Sequence, residues 1–164
     1  MAINYNNIIE EYKNRKRYLS VYLTRSGKPE AYARERKGRG GFYNPKGQLM
    51  LEHRKDLMKS ISKQERDTLK ELISSDKEYF VELTLKYYVP VPKTDSKKLQ
   101  ILKLNDILLP ISRTGDLDNL DKFYLDTCHD VLYDDDKRVV RISAEKHYSI
   151  DPRVEITANF TIID

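Results

Sequence analysis

Four stretches of this chain alternate apolar and polar residues with a period of two, the signature of a strand with one buried face. In "YLSVYLT", residues 18–24, Leu19, Val21 and Leu23 share a side, and in "YFVELTLKYYV", residues 79–89, Val81, Leu83, Leu85 and Tyr87 do. Near the carboxyl end, residues 138–148 place Val140, Ile142, Ala144 and Tyr148 together. Residues 153–163 do the same with Val154, Ile156, Ala158, Phe160 and Ile162, and "SIDP" reads as the turn between these two strands.

Between the strands the period lengthens to that of a helix. A helix beginning near Pro45–Gln48 and running to about Ser60 sets Leu49, Met50, His53, Leu57 and Ile61 on its inner side. Ser62 and Glu65 form the sequence pattern of a capping box, opening a second stretch, 63–74, with Leu69, Leu72 and Ile73 at core spacing. From Asn119 to Leu132 the residues Leu120, Phe123, Tyr124, Thr127 and Val131 fall on one helix face.

The elements run β-α-β-α-β-β, and every strand has one apolar face. That pattern predicts an α+β fold: a two-layer domain whose mixed four-stranded sheet is covered on one face by helices. Residues 1–16 read as a polar leader that could start a short helix, and 17–164 as a single domain. Residues 25–47, rich in Gly, Pro and Arg, read as a long loop of the functional kind. Residues 90–115, with Pro90, Pro92 and Pro110 and the pair Lys97–Lys98, read as an irregular connection.

Composition narrows the possibilities. The 164 residues are 39% hydrophobic and 34% charged, enough for a core under a strongly ionic surface. No apolar run approaches the ~18–20 residues of a membrane span, and the first residues lack the apolar centre of a signal peptide. A cytoplasmic location is therefore expected. One cysteine, Cys128, excludes an internal disulfide and a cysteine-rich zinc site. Beside a helix core face it is expected to pack rather than react. His53, His129 and His147 are scattered and support no nucleophilic triad; each reads as a surface or satisfied histidine.

The net charge of +4 conceals a segregation. Residues 1–46 hold 11 Lys/Arg against 4 acids, whereas residues 116–136 hold 8 acids against the single base Lys122. Two solvated surfaces of opposite sign would look like this. So would a polyanion held by the basic segment and worked on through metal ions at the acidic one, with nucleic acid the obvious polyanion.

Asp116 and Asp118 stand two apart before the helix, so in extended backbone both carboxylates face one side. Asp118 also stands where an N-cap belongs, and Asp118, Lys122 and Asp126, four apart, form a charged row that a surface salt-bridge ladder would equally produce. Asp134, Asp135 and Asp136 precede the next strand. Should the clusters meet, the carboxylates would repel one another unless a divalent cation joined them, and all-oxygen donors favour Mg²⁺ or Mn²⁺ over zinc. A calcium loop starting at Asp116 would need glycine where Asp121 stands and an oxygen donor where Leu120 stands. A haloacid-dehalogenase type Asp-x-Asp should end an apolar strand, and Ser112-Arg113-Thr114-Gly115 is not one.

"DLDNLDKFYLD", followed by the paired acids and Val139–Val140 and then "PRVEI", resembles the RusA-type Holliday junction resolvases. "SGKPEAYARERKGRGGFYNPKG" is similar to that family's basic, Gly/Pro-rich loop, and the likeness spans roughly residues 18–162. The resemblance implies a homodimeric, Mg²⁺-dependent endonuclease, common in phages, that cuts four-way DNA junctions with paired symmetric nicks; for a phage-encoded chain the compartment is the host cytoplasm. It implies catalytic roles for Asp116, Asp118, Asp136 and Lys122, metal binding by Asp116, Asp118, Asp136 and Asp135, and supporting roles for Asn119 and Asp126. Three consecutive Asp depart from the family's pair, and Asp136 is chosen by counting back from Val139.

Arg34, Arg36, Lys37, Arg39 and Lys46 are the residues expected to grip the DNA backbone. Phe42 or Tyr43 could stack at a junction centre, or equally belong to the core. Two other readings stay open: a metal-dependent nuclease for other branched DNA, and a non-catalytic DNA-binding accessory protein whose acids are a solvated face.

Overall fold

The computed structural model describes residues 5–111 and 115–164. Its centre is a four-stranded mixed sheet built from β1 (Lys16–Ser26), β4 (Glu78–Pro90), β5 (Val139–Ser149) and β6 (Arg153–Ile163). The spatial order is β1-β6-β4-β5. β6 pairs antiparallel with both β1 and β4, while β4 and β5 run parallel. Parallel neighbours need a long crossover, and here it spans residues 91–138 and carries the acidic helix.

The period-two reading holds where the sheet is covered. In β4 and β6 every second residue is buried, from Val81 to Val89 and from Val154 to Ile162. These side chains meet α2 (Gly47–Lys59) and α3 (Lys63–Ser74) through Met50, Leu57, Leu69 and Leu72, and α5 (Leu117–Cys128) through Leu120, Phe123 and Tyr124. Removing each such side chain from water stabilises the fold by about 1.5–3 kcal/mol. The capping box forms as expected: Glu65 N donates to Ser62 Oγ at 3.1 Å and Ser62 N to Glu65 Oε2 at 2.8 Å.

The polar leader holds the short helix expected there, α1 (Tyr5–Asn14), with none of its residues buried. Several other expectations need correction. The long loop encloses a hairpin, β2 (Arg36–Gly38) with β3 (Gly41–Tyr43), whose two-residue turn, Arg39–Gly40, leads into Gly41 at φ +117°, a conformation that favours glycine. The connection expected to be irregular holds α4 (Lys97–Leu104), opened by the Ser96 side chain, which accepts from Leu99 N. Lacking a one-sided apolar stripe and burying none of its residues, α4 left no periodic trace.

α5 starts two residues earlier and ends four residues earlier than its periodicity suggested. His129 takes an extended ψ and Asp130 a positive φ of 63°, which stops the helix. On β5, Tyr148 is buried, but Val140 and Ile142 are 58% and 42% exposed, because an edge strand has no neighbour to cover its outer half. Phe42 and Tyr43, at 73% and 50% exposure, are not core residues. Among the described residues no helix is long and apolar enough to cross a membrane.

Candidate active site

α5 is two-faced. Leu120, Phe123, Tyr124, Thr127 and Cys128 face the core, while Asp118 and Lys122 are exposed and Asp126 is half-buried. The i, i+4 spacing sets the last three as neighbours along one side. Asp116, not Asp118, occupies the N-cap position, and its side chain makes no capping bond. Asp118 lies within the first helical turn, so the pair is not carried by one extended segment. Among the described residues neither carboxylate has a hydrogen bond or ion pair.

The turn that presents Asp116 is tightly held. Gly115 has φ +83°, and a methyl built on it would stand 3.0 Å from Ala31 Cβ. Lys146 Nζ, from β5, donates to Gly115 O at 3.2 Å, and Leu120 N closes the first helical bond to Asp116 O at 3.0 Å.

The basic loop is strapped to this same end of α5. Tyr32 N donates to Asn119 O at 2.8 Å, and Glu30 N to the Tyr124 hydroxyl at 3.1 Å. Asn119 thus contributes through its backbone. Lys46 Nζ bonds Glu30 Oε2 at 3.0 Å and Ala31 O at 2.7 Å, so its charge is committed to bracing the loop. Lys122 Nζ lies 3.9 Å from the centroid of the Tyr32 ring, within cation–π range. Beyond this anchored section Arg34, Arg36, Lys37 and Arg39 are all exposed.

The three consecutive aspartates have three different situations. Asp134 accepts from the Tyr79 hydroxyl at 3.0 Å and from Arg138 Nε at 2.9 Å, with Arg138 Nη2 at 3.3 Å. The Arg138 bonds hold its carboxyl below the usual range. Asp135 caps the short 3-10 turn Asp136–Arg138, accepting from Lys137 N at 2.9 Å. Asp136 is exposed and its carboxylate has no partner among the described residues. It lies close enough to Asp126 to affect it: burial first, then the Asp136 charge, pushes the Asp126 carboxyl up, while Lys122 and His129 oppose the shift.

Asp121, Tyr87, Tyr32 and Lys146 were not singled out as site residues from sequence. Tyr87, fully buried on β4, donates to Asp121 Oδ1 at 2.7 Å. Burial foremost raises the Asp121 carboxyl, with the Asp118 charge adding to it. The only sequence signal was three-residue spacing from Asp118 and a polar tip on a core-facing tyrosine.

The remaining reactive groups are accounted for. His53 is buried, within 3.1 Å of the Tyr124 hydroxyl, and burial lowers its pKa to about 4. His129 pairs with Asp130, and His147 lies between Asp106 and Glu145. Cys128 is buried and its thiol is pushed up to about 12 by desolvation.

As donors, Asp116, Asp118, Asp135 and Asp136 offer only hard oxygen. Among the described residues no three His, Cys, Asp or Glu side chains are gathered closely enough to hold an ion by themselves. The acids are strung along α5: Asp118 and Asp126 are two turns, about 12 Å, apart along the axis. Mg²⁺ is commonly held by one or two carboxylates together with substrate phosphate rather than by an all-protein cage. The unengaged pair Asp116 and Asp118 fits that mode, and Asp134, spent on Arg138 and Tyr79, does not.

The architecture is thus an α+β domain with carboxylates at one helix start that are unpaired among the described residues, and an arginine-rich loop is fastened against it. The sequence model of the family described as "Endodeoxyribonuclease RusA" matches residues 26–159, and the chain belongs to that family. A curated protein of Bacillus subtilis (strain 168), "Uncharacterized protein YqaN", is 36% identical over 78 residues, 46% of this chain. The chain spans about half, 54%, of that relative's length.

Proposed function

We propose that this chain is a Mg²⁺-dependent endodeoxyribonuclease that resolves four-way DNA junctions by paired, symmetric phosphodiester hydrolysis, with Mn²⁺ able to substitute. One observation carries the reading: the exposed basic loop is fastened to the helix start that bears Asp116 and Asp118. A backbone phosphate drawn in by Arg34, Arg36, Lys37 and Arg39 therefore arrives beside two carboxylates free to share a cation with it.

Asp116 and Asp118 would hold the ion, with Asp136 and Asp135 as further candidate ligands from the turn before β5. When bound, the ion supplies an activated water and offsets charge at the phosphorus. Lys122 extends from the same helix face and provides positive charge to the phosphoryl oxygens as the transition state develops. Tyr32 supports that lysine from beneath. Asn119 fastens the loop through its carbonyl, and Asp126 balances Lys122 one turn further on. Two opposed cuts require two sites, so the working species is a homodimer, acting in the cytoplasm of the cell, or of the host for a phage-encoded chain.

The deciding experiment is cleavage of a synthetic four-way junction in Mg²⁺, beside linear duplex and flap substrates and the Asp116→Asn variant. Symmetric nicks confined to the junction and absent from the variant are expected. Cleavage of flaps as readily as junctions would replace the junction preference with a general branched-DNA nuclease. Binding without cleavage in both Mg²⁺ and Mn²⁺ would leave a non-catalytic DNA-binding protein.

A further inference from the structure

We propose that Lys146 is a second phosphate-binding cation of this site, paired functionally with Lys122 across the Asp116–Asp118 carboxylates; the inference rests on the nuclease reading above.

The geometry begins with strand alternation. Lys146 lies opposite Tyr87 in the parallel β4–β5 register, and Tyr87 is buried beneath the helices. Residues in register share a side of the sheet. Tyr87 reaches up to Asp121 of α5 at 2.7 Å, and Lys146 reaches up to Gly115 O at 3.2 Å, one peptide from Asp116. The two neighbouring side chains thus reach the N-terminal end of α5 from the sheet, one just before the helix and one at its fifth residue.

The acid next to Lys146 in sequence does not neutralise it. Glu145 points to the other side of the sheet, where Lys86 lies at 3.5 Å and His147 Nε2 at 2.8 Å. Among the described residues Lys146 forms a single hydrogen bond, to a neutral carbonyl, and no ion pair. An ammonium has three donors, so among the described residues two remain unspent, on a side chain bonded to the peptide that precedes Asp116. Lys122 leans on Tyr32 from the helix face. Lys146 comes from the sheet. A phosphodiester seated at Asp116 and Asp118 would have a cation from each layer, which suits a group with two non-bridging oxygens.

A purely mechanical role is the rival account, with Lys146 tying down the Gly115 turn. Glutamine can still donate to that carbonyl but carries no charge, so the two accounts separate. Binding of a four-way junction is measured in EDTA over a series of KCl concentrations, for the wild type, Lys146→Arg, Lys146→Gln and Lys146→Met. Cleavage rates in Mg²⁺ at saturating junction are measured alongside.

Loss of one phosphate contact lowers the slope of log affinity against log salt by about 0.9, so a homodimer that loses the Lys146 charge from both sites should lose about 1.8. That decrease is expected in Lys146→Gln and Lys146→Met and absent in Lys146→Arg. The saturated rate of the two neutral variants should fall on the order of tenfold to a hundredfold. A Lys146→Gln protein with the wild-type salt slope and rate overturns the proposal, whatever Lys146→Met does. A wild type that binds but never cleaves sinks the nuclease reading and still leaves the salt slope to judge Lys146. A wild type that binds no junction overturns both.

Discussion

Replacing Tyr124 with phenylalanine would delete one oxygen from the centre of the domain and little else. The ring stays packed against Phe123 at 5.0 Å, Tyr87 at 5.6 Å and His53 at 5.7 Å between centroids, so no cavity larger than the hydroxyl opens. What disappears is a junction of two hydrogen bonds, from Glu30 N and with His53 Nδ1. His53 is 1% exposed and cannot turn to water. Stranding a buried polar nitrogen costs about 1–3 kcal/mol, and losing the bond from the half-buried Glu30 N adds about 0.5–1.5 kcal/mol. The sum, roughly 1.5–4.5 kcal/mol, corresponds to a fall in Tm of about 3–18 °C in a domain of this size. Urea unfolding measures the free energy directly. Limited proteolysis should show earlier cleavage within residues 30–46, since one of the straps holding the basic loop to α5 is gone. A Tyr124→Phe protein within about 0.5 kcal/mol of wild type would refute the claim that this hydroxyl secures loop to helix.

Two further perturbations test how the charged groups are held. Asp134 has a folded-state pKa below its unfolded one, so its contribution to stability is present above about pH 4 and is lost as pH falls through the folded value. Asp134→Asn should therefore melt lower than wild type at pH 7 and lose less Tm on acidification, and identical acid limbs for the two proteins would show that the Arg138 pairing is inconsequential. Tyr32→Leu removes the aromatic face under Lys122, worth about 0.5–1 kcal/mol at an exposed site. It should slow saturated cleavage about two- to fivefold with junction affinity unchanged, while Tyr32→Phe retains the wild-type rate; equal losses in both variants would point to the phenol hydroxyl instead.

Strand and helix periods were legible because burial acts on side chains at fixed intervals: two in β4 and β6, three to four along α2, α3 and α5. The Ser62–Glu65 box was legible because its partners are three residues apart. The same locality explains what escaped notice. α4 is capped by Ser96 but buries no stripe, so its residues follow no period. The exposure of Val140 and Ile142 follows from β5 being an edge, and strand order is a matter of long-range pairing that alternation does not encode.

The candidate site divides along the same line. The sequence by itself determined which chemistry was on offer: oxygen donors between Asp116 and Asp136, Lys122 among them, and an arginine-rich loop elsewhere in the chain. Each is a property of residue type and near spacing. Only the tertiary structure decided which groups are free to act. Asp134 is withdrawn by Tyr79, 55 positions away, Lys46 is withdrawn by Glu30, and Lys146 is delivered to Gly115 from across the sheet. Whether a charge is spent or available depends on what stands within about 3 Å of it, and in a folded chain that neighbour is set by packing rather than by order along the sequence.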